Sequence, residues 1–220
     1  MITARLKCIV QYVNGNTIAD IGTDHAYVAV KLIDDKRAKK VIASDIRQGP
    51  VDSAKRTVRK YNMEDKIDVR LGAGLSTISE NEADIIIIAG MGGELIESII
   101  RDDMETVKNA KLILQPMNGQ YELRKFLIEN NFTIEEEDIA IEGFKVYNVL
   151  VVKYGKQIPF ENDIDYHLPP CLYGHKNFKK LYEKKKREFT KVVSGLENSK
   201  DCDIDKLNLY KSWLDELNKL

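Results

Sequence analysis

The feature that most constrains the fold is an alternation of short apolar runs and amphipathic stretches over the first 154 residues. Short apolar runs predict strands, whereas apolar residues repeating with helical spacing predict helices. The predicted strands are 18–21, 41–44, 67–71, 84–89 and 111–114. The predicted helices are 3–13, 26–35, 50–61, 93–101 and 120–130. Strands alternating with helices predict an α/β fold built on a doubly wound, parallel sheet.

The pattern changes near residue 132, where two β-rich runs follow each other directly. Residues 133–141 and 146–154 are joined by Glu142-Gly143-Phe144-Lys145, and this arrangement predicts an antiparallel hairpin. A terminal antiparallel hairpin is a departure from the usual dinucleotide-binding fold. Among the classes of protein that share a doubly wound sheet, the hairpin therefore argues against a dinucleotide-binding enzyme.

The last third of the chain has a different organisation. Residues 155–174, which include His167, are rich in proline, glycine and polar residues and predict a linker that continues to His175. Two amphipathic stretches, 176–196 and 205–219, then predict an antiparallel helical hairpin. We expect two parts, and their ranges are a catalytic domain over 1–155 and a linker with a helical hairpin over 156–220.

Composition predicts a globular protein of the cytoplasm. Hydrophobic residues make up 43% of the chain and charged residues 31%. The three cysteines are odd in number and far apart, so they predict neither a disulfide framework nor a metal site. The N-terminus lacks the apolar region of a signal peptide, and no apolar run is long enough to span a membrane. We expect a monomer or weak dimer without metal or membrane contact.

The loop after the first predicted strand is the most informative about a cofactor. It reads Gly22-Thr23-Asp24-His25 and carries one glycine where a dinucleotide fingerprint carries three. Asp24 would repel a pyrophosphate, but its carboxylate suits a cofactor with an ammonium or sulfonium charge, such as S-adenosylmethionine. The alternative is that Asp24 caps the next helix. His25 contacts the cofactor or is a structural loop residue, and the sequence favours neither.

Other predicted strand ends carry residues suited to the same ligand. Asp45 ends the second strand, where a carboxylate can accept both hydroxyls of a ribose, although a capping role is the alternative. Gly90-Met91-Gly92-Gly93 ends the fourth strand, where glycines allow close approach to a planar base and Met91 can pack on it. The alternative there is a tight turn between strand and helix.

The C-terminal part contains a strongly basic stretch. Residues 175–191 hold seven Lys and one Arg against two Glu, a net charge of +6 in a chain whose overall charge is −1. A lysine-rich helix of this kind can bind a phosphate backbone, although an ordinary solvated helix face is the alternative. The predicted RNA-binding residues are Lys179, Lys180, Lys184, Lys185, Lys186 and Arg187.

Five segments together resemble one family. They are DIGTDHAYV (20–28), ASDI (43–46), RLGAGL (70–75), AGMGG (89–93) and LQPM (114–117). The chain resembles the bacterial tRNA (adenine-N1)-methyltransferases that modify adenine 22, and the resemblance extends over its whole length. It implies a Rossmann-like class I methyltransferase fold, a seven-stranded, mostly parallel sheet with the hairpin as its last two strands. It also implies S-adenosylmethionine as cofactor and tRNA as substrate.

Site residues follow from the strand ends and the resemblance together. The predicted cofactor-binding residues are Asp20, Gly22, Thr23, Asp24, His25, Asp45, Ile46, Gly72, Ala73, Gly90, Met91 and Gly92. The predicted catalytic residues are Asp24, Tyr27 and Met91. The chain departs from such enzymes at Ala73, where they often offer an Asp or Asn side chain to the adenine. Contact there must come from the backbone.

Three alternative functions share some of these features. A nicotinamide-dependent oxidoreductase has the same fold class, but the missing glycines, Asp24 and the terminal hairpin argue against it. A catalytically inactive RNA-binding module would keep the basic helix and fail to bind S-adenosylmethionine. A methyltransferase acting on another RNA or on a small molecule would share the cofactor site, and for a small molecule the helical hairpin would serve only for packing.

Overall fold

Seven strands form one sheet, in the order β3-β2-β1-β4-β5-β7-β6. The computed structural model describes residues 2–220. The strands are β1 Thr17–Ile21, β2 Lys40–Asp45, β3 Ile67–Leu71, β4 Ile85–Met91, β5 Lys111–Pro116, β6 Phe132–Glu142 and β7 Lys145–Tyr154. Strands β1 to β5 pair in parallel, whereas β7 pairs antiparallel with both β5 and β6. The predicted mostly parallel sheet and its terminal hairpin are confirmed.

Helices cover both faces of this sheet. They are α1 Ala4–Gln11, α2 Tyr27–Asp34, α3 Gln48–Lys60, α4 Gly93–Asp102, α5 Met104–Lys108 and α6 Gln120–Glu129. One hydrophobic cluster joins α1, α2 and α3 to the sheet, and a second joins α4, α5 and α6 to it. The four consecutive isoleucines of β4, 85–88, are buried because alternate side chains enter the two clusters. The core therefore lies on both faces of the central strands.

The strand order fixes where a ligand can bind. The chain passes from β1 outward through β2 to β3, and then crosses back to β4 on the other side of β1. The sheet therefore has a switch point between β1 and β4. Connections leave in opposite directions there, so a crevice opens at the carboxyl ends of the two strands.

One helix begins earlier than predicted, and one helix is additional to those predicted. Helix α3 begins at Gln48 rather than at Pro50, which lies in the first turn, where a backbone N–H has no helical partner. Helix α5 was not predicted, because its five residues are too few to show a helical period; Asp103 caps it by accepting from the N–H of Thr106.

The structure divides into two compact units, one ending at Pro159 and the other comprising Phe160–Leu220. The second unit contains α7 Ile164–His167, a 3-10 turn at Pro170–Leu172, α8 Phe178–Glu197 and α9 Ile204–Leu217. Contacts of Lys186 with Asn218 and of Lys211 with Glu197 show that α8 and α9 run antiparallel. This confirms the predicted helical hairpin.

The expected linker over 155–174 is replaced in part by folded structure. Ile164, Leu168 and Leu172 are buried within the second unit. The ring of His167, predicted to be a linker residue, is also buried and lies 4.8 Å from Phe189 and 4.4 Å from Trp213, centroid to centroid. This segment has few apolar residues among many proline and polar ones, so its composition alone does not indicate that it folds.

Candidate functional site

Two adjoining cavities open at the switch point between β1 and β4. One has a volume of about 460 Å³ and the other of about 530 Å³. Five residues line both cavities, which makes them two halves of one cleft: Gly22, Asp45, Ile46, Met91 and Leu95. The cleft lies outside the carboxyl ends of the strands, where a doubly wound sheet binds its ligands.

The first half of the cleft is mainly apolar. Leu75 and Ile99 line it from the core, and the exposed side chain of Ile46 lines it from the rim. The backbone of Gly72 and Ala73, after β3, forms another wall. Apolar side chains around a slot with backbone polar groups suit a flat heterocycle.

Asp45 stands at the end of β2 and faces both halves. Its side chain is 7% exposed, and one carboxylate oxygen accepts a hydrogen bond of 2.8 Å from the N–H of Arg47, the residue before α3. A carboxylate oxygen also lies 3.6 Å from the guanidinium of Arg47. Asp45 thus holds the backbone that leads into α3 and also lines the cleft, but it does not cap the helix, because α3 has no side-chain cap.

The second half of the cleft is formed by the loop after β1. The hydroxyl of Thr23 donates to the carboxylate of Asp20 and accepts from the N–H of Ala26, with 3.2 Å between N and O. Ala26 precedes α2 with φ +55°, a left-handed conformation without a side-chain cap. The loop is therefore held from inside by Thr23, and neither Asp24 nor His25 caps α2.

Asp20 is a buried acid in this half. Burial raises the pKa of Asp20 to about 6, and the hydrogen bond from Thr23 only partly opposes this shift. A carboxylate that loses hydration in this way binds a cation favourably, because the incoming charge replaces the missing solvent. Asp20 is thus a carboxylate of low hydration within this half of the cleft.

Asp24 and Tyr27, two of the three predicted catalytic residues, lie with His25 at the mouth of the same half. The side chain of Asp24 is 71% exposed, and its carboxylate is 3.3 Å from Nε2 of His25. The rings of His25 and Tyr27 stack with centroids 5.3 Å apart. The three side chains thus form a polar and aromatic rim, placed to meet a second ligand that enters from solvent.

Met91 lines both halves of the cleft beside Gly22. Its terminal methyl lies so close to Gly22 that a Cβ added there would be 2.1 Å from it. Gly22 also has φ +78°, a conformation that favours glycine. The turn therefore requires glycine at position 22, and a larger residue would also displace the flexible end of the Met91 side chain.

A bulge in β4 places Met91 at this point. Ala89 pairs with Gln115 and Met91 with Pro116, so Gly90 is one extra residue, with φ +79°. Gly90 lines the second half of the cleft. Gly92 lies differently: a Cβ added there would be 2.9 Å from the side-chain oxygen of Asn118, so it faces the neighbouring loop.

The second half of the cleft is also lined by Arg5 of α1, which the sequence analysis did not predict as a site residue. Nη1 of Arg5 lies 2.6 Å from Oε1 of the buried Gln115 and close to Gly90. The guanidinium is also 5.7 Å from the ring centroid of Tyr147. No local pattern marks Arg5, because its partners are more than a hundred residues away in the chain.

The basic residues of α8 belong to the second unit. Lys179, Lys180, Lys186 and Arg187 are exposed. The ammonium of Lys184 lies 3.8 Å from the carboxylate of Glu188, and that of the buried Lys185 lies 3.1 Å from it. The exposed residues are the ones whose charge is available to an outside partner.

Residues 2–220 contain neither a candidate metal site nor a candidate membrane span. No group of three or more histidine, cysteine or acidic side chains is close enough to hold a metal ion. Within the same residues, no helix combines the length and apolar character needed to cross a membrane.

The chain matches both a family model and a known protein, and both are methyltransferases. Residues 2–150 match the model of a methyltransferase domain. The chain is 39% identical over 156 residues to the tRNA (adenine(22)-N(1))-methyltransferase of Bacillus subtilis, an alignment that covers 70% of this chain and 66% of that protein.

Solved structures match over nearly the whole chain. The Bacillus subtilis M1A22 tRNA methyltransferase has a TM-score of 0.89 and 30% identity, with 100% of this chain and 98% of that chain covered. A Streptococcus pneumoniae protein, described as a candidate tRNA (m1A22) methyltransferase and solved in complex with S-adenosyl-L-methionine, has a TM-score of 0.84 and 33% identity; 97% of this chain and 100% of that one are covered.

Proposed function

This chain belongs to the bacterial tRNA (adenine(22)-N(1))-methyltransferase family, and we propose that it transfers a methyl group from S-adenosylmethionine to N1 of adenine 22 in tRNA. The observation that carries this proposal is the pair of carboxylates, Asp20 and Asp24, beside Gly22 in one half of the cleft. They oppose a pyrophosphate and suit a cationic cofactor.

The residues of the cleft fit S-adenosylmethionine part by part. The apolar half, with Ile46, Leu75 and Ile99, suits the adenine, and Asp45 suits the two ribose hydroxyls. In the other half, Asp20 suits the ammonium and Arg5 suits the carboxylate of the methionine part. The opposite charges that line this half match a zwitterion, which a nicotinamide dinucleotide does not offer there.

The reaction requires the protein mainly to place the base and the methyl donor. S-adenosylmethionine supplies a methyl group activated by its sulfonium, and N1 of adenine already has a lone pair to accept it. No proton must leave before attack, so the protein acts mainly by orienting the base and excluding water. Asp24 at the rim can accept from the adenine amino group and stabilise the positive charge that the base acquires. Tyr27 and Met91 offer surfaces against which the base can be held.

The substrate must be bound by more than its reacting base. N1 lies on the Watson–Crick edge, so the adenine must leave its pair or stack before it reaches the cleft. We propose that the exposed residues of α8, Lys179, Lys180, Lys186 and Arg187, bind the phosphate backbone. In this proposal the first unit performs the methyl transfer and the second unit binds the RNA.

One experiment tests the activity directly. The protein is incubated with S-adenosylmethionine carrying a labelled methyl group and with unmodified bulk tRNA, and the methylated nucleoside is mapped by mass spectrometry. We expect 1-methyladenosine at position 22, and a strong reduction with Asp24→Asn. Methylation of another nucleoside would contradict the proposed substrate. Binding of tRNA without cofactor binding would instead indicate the inactive RNA-binding module.

A further inference from the structure

Phe144, at the tip of the β6–β7 hairpin, is the most exposed large apolar side chain of the described residues, at 90%. It occupies a two-residue turn, Gly143-Phe144, between the last paired residues Glu142 and Lys145. Single exposed apolar residues are common on protein surfaces. Phe144 differs from such residues in its position at the tip of the hairpin and in the contacts that hold the hairpin in place.

The hairpin extends beyond the carboxyl ends of the parallel strands, which is also where the cleft lies. Strand β7 is antiparallel to β5, with Leu114 opposite Leu150, so β7 begins beyond the carboxyl end of β5. Continuing this register places Asn148 opposite Pro116, the last residue of β5. Phe144 lies four positions before Asn148, which places the tip roughly 13 Å past the end of β5.

The tip of the hairpin is tied to the wall of the cleft through α1. The carboxylate of Glu142 accepts a hydrogen bond of 2.8 Å from the N–H of Arg5. Burial acts to raise the pKa of Glu142, but hydrogen bonds from the Thr3 hydroxyl and the Arg5 N–H, with the charges of Arg5 and Lys145, lower it below its ordinary value. Arg5 in turn lies by Tyr147 and donates to Gln115.

These contacts make a rigid arm rather than a loose loop. The ladder between β6 and β7 extends from Phe132 and Tyr154 to the turn itself. Gly143 supplies the φ of +58° that the tight turn needs. An aromatic ring is thus held in solvent at a fixed place beside the cleft, with the exposed Lys145 next to it as a charge for a phosphate.

We propose that Phe144 is a positioning residue that stacks on the RNA base next to the extruded adenine and fills the gap that the adenine leaves. This inference rests on the proposed function, since it requires a nucleic-acid substrate whose target base leaves the stack. Every base has a π-face, so stacking on an aromatic side chain stabilises the opened RNA without reading its sequence.

The test compares Phe144→Ala with Phe144→Trp and with Ile158→Ala, a control at another exposed apolar side chain of the same unit, 85% exposed. For Phe144→Ala we expect kcat/KM for tRNA to fall about tenfold or more, with unchanged affinity for S-adenosylmethionine. Phe144→Trp restores the rate because its ring can stack, and Ile158→Ala leaves it unchanged. With 2-aminopurine at the target position, the fluorescence rise on binding is smaller for Phe144→Ala.

A second substrate separates base opening from general RNA binding. In a tRNA whose target adenine has no pairing partner, the loss of kcat/KM caused by Phe144→Ala becomes smaller, because less free energy is needed to extrude the base. An equal loss on both substrates, or full activity of Phe144→Ala, overturns the inference. A change of oligomeric state in light scattering, without a change in kcat/KM, shows instead that a second copy covers Phe144. If the unmodified protein methylates no tRNA, the proposed function itself fails.

Discussion

Arg5 in α1 and Gln115 at the end of β5 are joined by a hydrogen bond of 2.6 Å between Nη1 and Oε1. Gln115 is fully buried, and its amide nitrogen donates in turn to the carbonyl of Pro116. The amide is therefore oriented with its oxygen towards the guanidinium. This orientation fixes a positive charge in the half of the cleft that also contains Asp20.

We expect Arg5→Ala to weaken binding of S-adenosylmethionine about tenfold, because a charged hydrogen-bond donor to its carboxylate is lost. Isothermal titration calorimetry measures this directly. Lys7→Ala, a change of another cation of α1 that is exposed, serves as the control and should leave the affinity unchanged. A fall in thermal stability of Arg5→Ala with unaltered affinity would show that Arg5 only braces the helix.

Gly22→Ala should weaken cofactor binding. Alanine at this position would need the left-handed conformation at φ +78°, and its Cβ, 2.1 Å from the present position of the Met91 methyl, would displace the end of that side chain in the cleft. Gly49→Ala is the matched control, because no atom lies within 4 Å of its added Cβ and a helical alanine is favoured by roughly 0.5–1 kcal/mol. Differential scanning fluorimetry with and without cofactor distinguishes the two. A normal cofactor-induced shift in Gly22→Ala would contradict the assigned site.

Cofactor affinity should depend on pH through Asp20. Since burial raises the pKa of Asp20 to about 6, the carboxyl is mostly protonated below that pH and loses its attraction for an ammonium. We expect the dissociation constant to rise as pH falls from 7 to 5, by up to about tenfold per unit below the pKa. In Asp20→Asn the affinity is lower and this pH dependence disappears. The same slope in both proteins would assign the effect to another group.

The same shift affects stability in the absence of ligand. The pKa of Asp20 is higher in the folded than in the unfolded protein, so the folded state binds an extra proton between about pH 4 and pH 6. Its contribution to the free energy of unfolding therefore decreases as pH rises through this window, by on the order of 3 kcal/mol, and is constant above it. Urea unfolding of the protein and of Asp20→Asn at several pH values measures the difference between their slopes.

Arg124 of α6 and Glu137 of β6 form a buried ion pair with two hydrogen bonds, of 2.8 and 2.7 Å. Removal of one partner leaves a charge without compensation, so Glu137→Gln should lower the free energy of unfolding by about 3–5 kcal/mol. The double variant Arg124→Met with Glu137→Leu should recover most of this loss. Glu97→Gln, which breaks a surface pair with Arg101, should cost less than about 1 kcal/mol.

Neutralising the exposed cations of α8 should weaken tRNA binding without affecting the cofactor. Glutamine at Lys179, Lys180, Lys186 and Arg187 removes charges that release counterions from RNA, so the salt dependence of binding also becomes flatter. The control variant carries the same number of exposed changes elsewhere in the second unit: Lys200, Lys206, Lys211 and Lys219. Equal losses in both variants would indicate a general charge effect rather than a binding face.

The fold could be predicted because its signals are local. Apolar runs such as 85–88 identify buried strands, and loops such as Gly22–His25 follow at the carboxyl ends where ligands bind. Arg5 could not be recognised in this way, since its role depends on Gln115 and Tyr147, which only the sheet brings near. The burial of Lys185 likewise depends on tertiary packing and is invisible in a run of three lysines.

The extra residue in β4 has a consequence for how this site can change. Because successive side chains of a strand face opposite sides, a regular β4 with the same residues would pair Gly90 with Pro116 and turn Met91 away from Gly22. The bulge, rather than the residue types alone, thus decides which side chain meets Gly22. Relatives that carry the same motif without the bulge would be expected to differ in how they accommodate the cofactor.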